Sequence, residues 1–227
     1  MFDIAAYERV QFLDGLIGYL EVRAWAFEKI RTSPIGSSGV DLKMHHALYF
    51  TNLFGAVDLV RDYLRTPVEK KAFEDHVQQE FPVPGDYPYA RELRNSILHR
   101  GLDTTMLSTQ LGDCVFPLCP PLVHNINGTM SYVCRSRLLV ELAANSNKAS
   151  NTAILAILER EGLLDASAHT PDEAQTMEAL SSSTFMPEWA TAVAEEAIAG
   201  MNFDTMVAEL TQSRMGQLQS LLGSAKR

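Results

Sequence analysis

The stretch "DLKMHHALYFTNLFGAVDLVRDYLR", Asp41 to Arg65, decides the fold class. Two apolar stripes run along it at steps of three and four. One holds Leu42, His46, Tyr49, Leu53, Ala56, Val60 and Tyr63; the other holds Ala47, Phe50, Phe54, Val57 and Leu64. Such spacing is helical, and a helix apolar on two faces is covered on two sides. This helix either sits centrally in a bundle or lends one face to a second subunit. Asp41 is the expected N-cap.

Helical patterning continues on both sides. Residues 3–31 predict a long helix with Val10, Leu13, Ile17, Leu20, Ala24 and Phe27 on one stripe, ended by the Pro, Gly and Ser of "SPIGSSG" at 33–39. Downstream, Thr66-Pro67 stops one helix and starts the next, with proline in the first turn. That helix runs to about residue 81, "PVPGDYP" is a loop, and a short helix follows from about 88 to 100 with Gly101 as its terminator. Residues 102–136 change character. They are rich in proline and β-formers, and Asn127-Gly128 between apolar runs predicts a hairpin or irregular arm. Helix resumes near 136–162, with "NSNKASN" as a candidate interruption, and a short helix follows with Thr170 as cap. A last long helical stretch is expected over about 187–222. There Trp189, Val193, Ile198, Met206, Val207 and Leu210 form a loose apolar pattern suited to a dimer contact or a lid. The expectation is a mostly α bundle with a small β-hairpin or irregular insertion near 113–134. Residues 1–162 form the bundle, including the arm 102–136, and 163–227 form a helical extension packed on it.

Composition narrows the function classes. Charged residues make up 21% and hydrophobic ones 46% of the chain, a globular balance. No run approaches the ~20 apolar residues of a membrane span. The opening "MFDIAAYERV" lacks a basic segment followed by an apolar one, so the expected location is the cytoplasm, without a membrane partner. Three cysteines, an odd and low number, fit a reducing compartment. The net charge of −9 is concentrated late. Residues 1–137 carry 14 Lys and Arg against 16 Asp and Glu, whereas 138–227 carry 5 against 12. Any nucleic-acid contact must therefore rest on a local patch.

Such a patch lies in "RELRNSILHRG", Arg91 to Gly101, where Arg91, Arg94 and Arg100 face only Glu92. Leu93 and Ile97 take the inward stripe. Arg94 and His99 lie about 140° apart on an ideal helix, with about 7.5 Å of rise between them. His99 is in the last turn beside Gly101, where the helix is expected to loosen and let the ring swing toward Arg94. Carbonyls at a helix C-terminus favour imidazolium. An acid that titrates near neutrality suits protonation of a phosphodiester leaving oxygen. Arg94 offers a planar cation to non-bridging phosphate oxygens, and Asn95 can hold a phosphate, a sugar or a neighbouring side chain.

Arg94, Asn95 and His99 resemble the R-x4-6-H motif of the HEPN superfamily of all-helical domains, in its R-N-x-x-x-H form. The resemblance covers the fold plan of about residues 1–160. It implies a metal-independent endoribonuclease of the kind found in toxins and phage defence, with no cofactor. Its partners would be RNA, a second copy of the chain and a possible regulatory protein. Two motifs would face each other in a cleft shared by the dimer. The ribose 2′-hydroxyl would attack phosphorus, leaving a 2′,3′-cyclic phosphate and a 5′-hydroxyl. By that resemblance Arg94 stabilises the phosphate and His99 is the general acid or base; Asn95, Arg91 and Arg100 bind or position RNA. The competing expectation is a catalytically inactive module of the same shape that binds or regulates, motivated by the acidic total. In that reading Arg94 pairs with Glu92 or another nearby acid.

Other residues carry weaker signals. His46 lies on the apolar stripe and reads as a hydrogen-bonded core histidine; His45 points elsewhere and is a candidate helper lining a cleft. Cys114, Cys119, His124 and Cys134 lack the tight C-x2-C knuckles of common zinc folds and read as small buried cysteines rather than a metal site. Arg135 and Arg137 either extend an RNA path or face solvent. No nucleotide-binding, zinc-protease or serine-hydrolase motif is present.

Overall fold

The computed structural model describes residues 4–165, 187, 189–190, 192–193, 196 and 202–223. These are mostly helical. In chain order they form α1 (Ile4–Arg31), α2 (Gly39–Tyr63), α3 (Pro67–Glu80) and α4 (Asp86–Arg100). Four short strands follow, β1 (Ser108–Leu111), β2 (Cys114–Pro117), β3 (Leu122–His124) and β4 (Ser131–Val133), and then α5 (Leu139–Arg160) and α6 (Phe203–Gly223). The chain divides into two compact units. One comprises residues 1–14 with 158–220, the other 15–157 with 221–227.

In the larger unit α2 is central. Tyr49, Phe50, Leu53, Phe54, Val57 and Val60 are all buried, so both stripes are covered within one chain. The helix begins earlier than its sequence suggests. Ser38, not Asp41, is the N-cap, its side chain accepting from Val40 N, because Gly39 and Val40 already turn helically. The Tyr49 hydroxyl donates to Ala143 O at 2.6 Å, fastening α2 to α5. Gly55 leaves room for the Tyr19 ring of α1: a Cβ there would stand 2.5 Å from that ring. The buried stripe of α1 includes Leu16, Ile17, Leu20, Arg23, Ala26 and Ile30, whereas Ala24 is exposed. The next helix, α3, opens with a capping box. Thr66 accepts from Glu69 N, and Glu69 Oε2 accepts from Thr66 N at 2.9 Å.

The α5 helix runs unbroken through "NSNKASN", where Ser146, Asn147, Ser150 and Asn151 each have a hydrogen-bond partner. Ser146 Oγ donates to Leu142 O, Asn147 accepts from Tyr49, and Ser150 Oγ donates to Asn147 O. Asn151 Nδ2 donates to the carbonyls of Leu221 and Leu222 at 3.2 and 3.0 Å.

The insertion holds two hairpins rather than one. The first, β1 with β2, turns at Gly112-Asp113, with Gly112 in the left-handed region at φ 60°. The second, β3 with β4, is closed by residues 125–130, so Asn127-Gly128 sits in a longer tip than a two-residue turn. Asn125 Oδ1 accepts from Met130 N at 3.1 Å inside that tip.

In the smaller unit α6 starts only at Phe203, with Asn202 Oδ1 accepting from Thr205 N at 3.2 Å as its cap, so the helix expected from 187 is not continuous. Arg214 pairs with Asp14 at 2.6 Å. Trp189, Val193 and Leu210 are exposed. The short helix expected after Thr170, Ile198, and the side chains of Met206 and Val207 lie outside the described residues. Among the described residues, no helix is long and apolar enough to cross a membrane.

Candidate functional site

The α4 helix is fixed at its start, along its inner face and at its end. Gly85, at φ 93°, turns the chain into it. The Asp86 carboxylate is wholly buried and accepts from Ser136 Oγ at 2.6 Å and Arg135 N at 3.3 Å, tying the first turn to the segment after β4. The Tyr89 hydroxyl donates to Pro120 O at 2.6 Å. Ala90, Leu93 and Ile97 are buried, as the stripe requires. Gly101, at φ 66°, ends the helix. The helix is regular through Arg100, so His99 is held on the helical lattice and does not swing toward Arg94.

This regularity puts the polar residues in two places. The first faces α2 and α3. Asp58 on α2 receives three guanidinium groups: Arg61 at 3.1 Å, Arg91 at 3.0 Å and Arg94 at 3.5 Å. Glu74 on α3 also pairs with Arg61 at 3.2 Å and Arg91 at 3.6 Å. The acid beside Arg94 is therefore Asp58, not Glu92. Arg94 Nη1 donates to Asn95 Oδ1 at 3.1 Å, while its Nε is buried without a hydrogen-bond partner. The Arg94 side chain is 24% exposed, so an anion in solvent could reach it from one side.

The second place is an open groove of about 260 Å³ lined by Glu92, Asn95, His99, Arg100, Asn125 and Ile126. Its floor is the outer face of α4, and its wall is the β3–β4 tip. Glu92 organises it, accepting from Arg100 Nη2 at 2.7 Å and from Asn95 Nδ2 at 3.3 Å. Arg100 also contacts Ser96 Oγ. His99 is exposed at this groove. Asn95 joins the two places, receiving Arg94 on one side and lining the groove on the other.

His45 belongs to neither place. It lines a separate depression of about 200 Å³ with Lys29, Ser33 and Asp41 and packs edge-on against Trp25 at 5.2 Å. Partial burial lowers its proton affinity, opposed by Asp41. His46 is the core histidine expected: wholly buried, its Nδ1 is 2.7 Å from Thr104 Oγ1. Burial pulls its pKa from 6.5 to about 4, so it is neutral at neutral pH. His124 is in hydrogen-bond contact with Ser131 across the second hairpin, while Cys114 pairs with Leu111 in the first. Among the described residues, no three His, Cys, Asp or Glu side chains converge as metal ligands. Arg135 and Arg137 are exposed.

Two important residues were not singled out from the sequence. Asp58 carried a readable signal, since it is an acid on a helix otherwise apolar on two faces and stands three residues before Arg61. Arg23 carried another, being a charge three residues after Leu20 on the inward stripe of α1. Its Nη1 donates to Ser150 Oγ at 3.1 Å and its Nη2 to Asn151 Oδ1 at 2.6 Å. Burial lowers its pKa to about 10, which still leaves it charged at neutral pH.

Comparison of the chain with family models, curated proteins and solved structures finds no match. The functional reading rests on the residues themselves.

Proposed function

We propose that the chain is a HEPN-like endoribonuclease that works as a homodimer, with Arg94 and His99 as its catalytic pair. The supporting observation is the continuity of the motif. Arg94 donates to Asn95, and Asn95 shares an open groove with His99 and Arg100. The groove supplies a titratable imidazole, amide donors and a cation at one surface, the set that a phosphodiester backbone requires.

The geometry also explains why a second copy is part of the proposal. Arg94 turns toward Asp58 and His99 toward the groove, and the regular helix keeps them apart. A phosphate gripped by Arg94 of one copy would meet His99 of the other. The 2′-hydroxyl then loses its proton to a base, its oxygen bonds to phosphorus, and the 5′-oxygen leaves with a proton from an acid. His99 serves one of these proton transfers. Until RNA arrives, Asp58 occupies the guanidinium with a carboxylate, the same planar chemistry a phosphate presents.

The test is RNA cleavage by the purified chain in EDTA, with the ends of the product identified. Arg94→Ala and His99→Ala should each abolish cleavage, and wild-type products should end in 2′,3′-cyclic phosphate. Cleavage unchanged in both variants overturns the residue roles, and a 3′-hydroxyl end overturns the 2′-hydroxyl route. One observation favours a second reading, a non-catalytic binding module: Arg94 and Arg100 are each already paired with an acid. RNA that the wild type binds without cutting, with binding weakened by Arg100→Ala, supports that reading instead.

A further inference from the structure

The β3–β4 arm is fixed to α4 on both sides of its base. The Tyr89 hydroxyl of α4 donates to Pro120 O just before β3, and Arg135 N and Ser136 Oγ just after β4 donate to Asp86. The tip of the arm is held as firmly. Gly128 N donates to Asn125 O at 2.9 Å, which closes a β-turn over residues 125–128. Asn125 N donates to Met130 O at 3.0 Å. The Asn125 side chain accepts from Met130 N at 3.1 Å and donates to Thr129 Oγ1 at 3.0 Å. A side chain on this turn therefore has a set place beside α4.

The side chain set there is Ile126, which lines the groove and is 78% exposed. The turn itself does not call for isoleucine. Ile126 is its second residue, a position compatible with most side chains, and a polar one would leave no apolar surface in water. The floor opposite is polar, with Asn95, His99 and Arg100. Among the described residues, Arg100 bonds through Nη2 alone, to Glu92 and Ser96, so Nη1 and Nε are free to donate. The groove thus has a cationic, amide-bearing side and an apolar side. A nucleotide is divided in the same way, between a charged phosphate and a base whose faces are apolar. A protein partner fits less well, since one isoleucine offers far less than the roughly 800 Å² per side that a stable interface buries.

We propose that Ile126 is the base-contacting residue of the groove: a nucleobase of the bound RNA lies against its side chain while the attached phosphate meets Arg100 and Asn95. The proposal rests on the ribonuclease reading and gives the β3–β4 arm a part in it. Contacts to phosphate place a strand but are indifferent to its bases. An apolar side chain covers the face of a base, and that contact exists only where a base is present. The two kinds of contact can therefore be separated by removing the bases from the ligand.

The experiment measures binding of two short fluorescent oligonucleotides to the full chain by anisotropy. One is a mixed-sequence RNA whose 2′-hydroxyls are methylated, so that it has no nucleophile and stays intact. The other has the same phosphates and methylated sugars but no bases. Ile126→Ala should weaken binding of the first by about 5-fold, the lower end of the range for a base resting on a side chain. It should leave binding of the second unchanged, and Ile126→Leu should bind both as the wild type does. Arg100→Ala should weaken both. If Ile126→Ala affects the two equally, or affects neither while Arg100→Ala weakens both, the base contact is overturned and the ribonuclease reading stands. If the wild type binds neither oligonucleotide, that reading fails and this proposal with it. A change in mass in solution on Ile126→Ala would assign the residue to a contact between copies and overturn the proposal.

Discussion

Two arginines on two helices show how differently one side chain can be held. Arg23 is buried, among the described residues it has no carboxylate beside it, and its hydrogen bonds go to the neutral oxygens of Ser150 and Asn151. Arg94 is partly exposed and faces the carboxylate of Asp58. A buried guanidinium among fixed neutral dipoles has no solvent path and no counter-ion to exchange, so its role is structural. A guanidinium at the protein edge, paired with a carboxylate, can trade that partner for another planar anion. Burial and partner type, rather than charge, separate a scaffold arginine from a candidate catalytic one.

The largest expected effect tests the Arg94 side of that contrast. Arg94→Ala and His99→Ala should lower RNA cleavage by about 100-fold or more, the usual scale for losing a charge stabiliser or a general acid. Circular dichroism should stay unchanged, because neither residue lies in the core. Comparable loss of fold would make Arg94 a scaffold residue like Arg23.

The scaffold side is tested through Asn151. Asn151→Ala removes the shortest acceptor of Arg23 and the donor to Leu221 and Leu222 together. Stability should fall by about 3 kcal/mol, since a buried cation loses part of its solvation. Urea unfolding measures this, and a loss below about 1 kcal/mol would show that Arg23 finds other partners.

His46 extends the contrast to a buried base able to shed its charge. Its pKa is about 4 in the fold against 6.5 for an unburied histidine. Between these values the unfolded chain takes up a proton that the folded one refuses. Stability should therefore be intact above pH 6.5 and fall as pH drops toward 4, by up to about 3 kcal/mol. His46→Asn should flatten that part of the pH profile. An unchanged slope would assign the acid sensitivity to other groups.

The smallest effect is expected at Asp58. Asp58→Asn removes a partly exposed acid from three arginines and should cost about 1 kcal/mol. Cleavage should persist or rise, because Arg94 is released toward phosphate. A loss as deep as that of Arg94→Ala would make Asp58 part of the catalytic machinery.

Much of this architecture was readable before the structure. The two stripes of α2, the Thr66-Pro67 junction and the Gly101 terminus all follow from local rules of period and capping, which act within a few residues. The spacing of Arg94, Asn95 and His99 on α4 was equally plain. The uninterrupted course of α5 through "NSNKASN" was not, because Asn147, Ser150 and Asn151 there bond to Tyr49, Arg23, Leu221 and Leu222, all distant along the chain. The second hairpin was expected at Asn127-Gly128, but the separate β1–β2 hairpin and the groove wall at Asn125 and Ile126 were hidden, since a wall exists only once the arm has packed beside α4.

The sequence alone determined that α4 would be a short helix with an apolar inner stripe; that it stays regular through Arg100, which keeps Arg94 and His99 on different outer faces, was decided by the structure. Side-chain direction follows from about 100° per residue, a local property of the backbone. Tertiary structure decided what each face would meet. Helices from distant parts of the chain bring Asp58 to Arg94, and the hairpin brings Asn125 and Ile126 to His99. Partner choice is set by how elements cross, and that depends on the packing of the whole core rather than on any one segment.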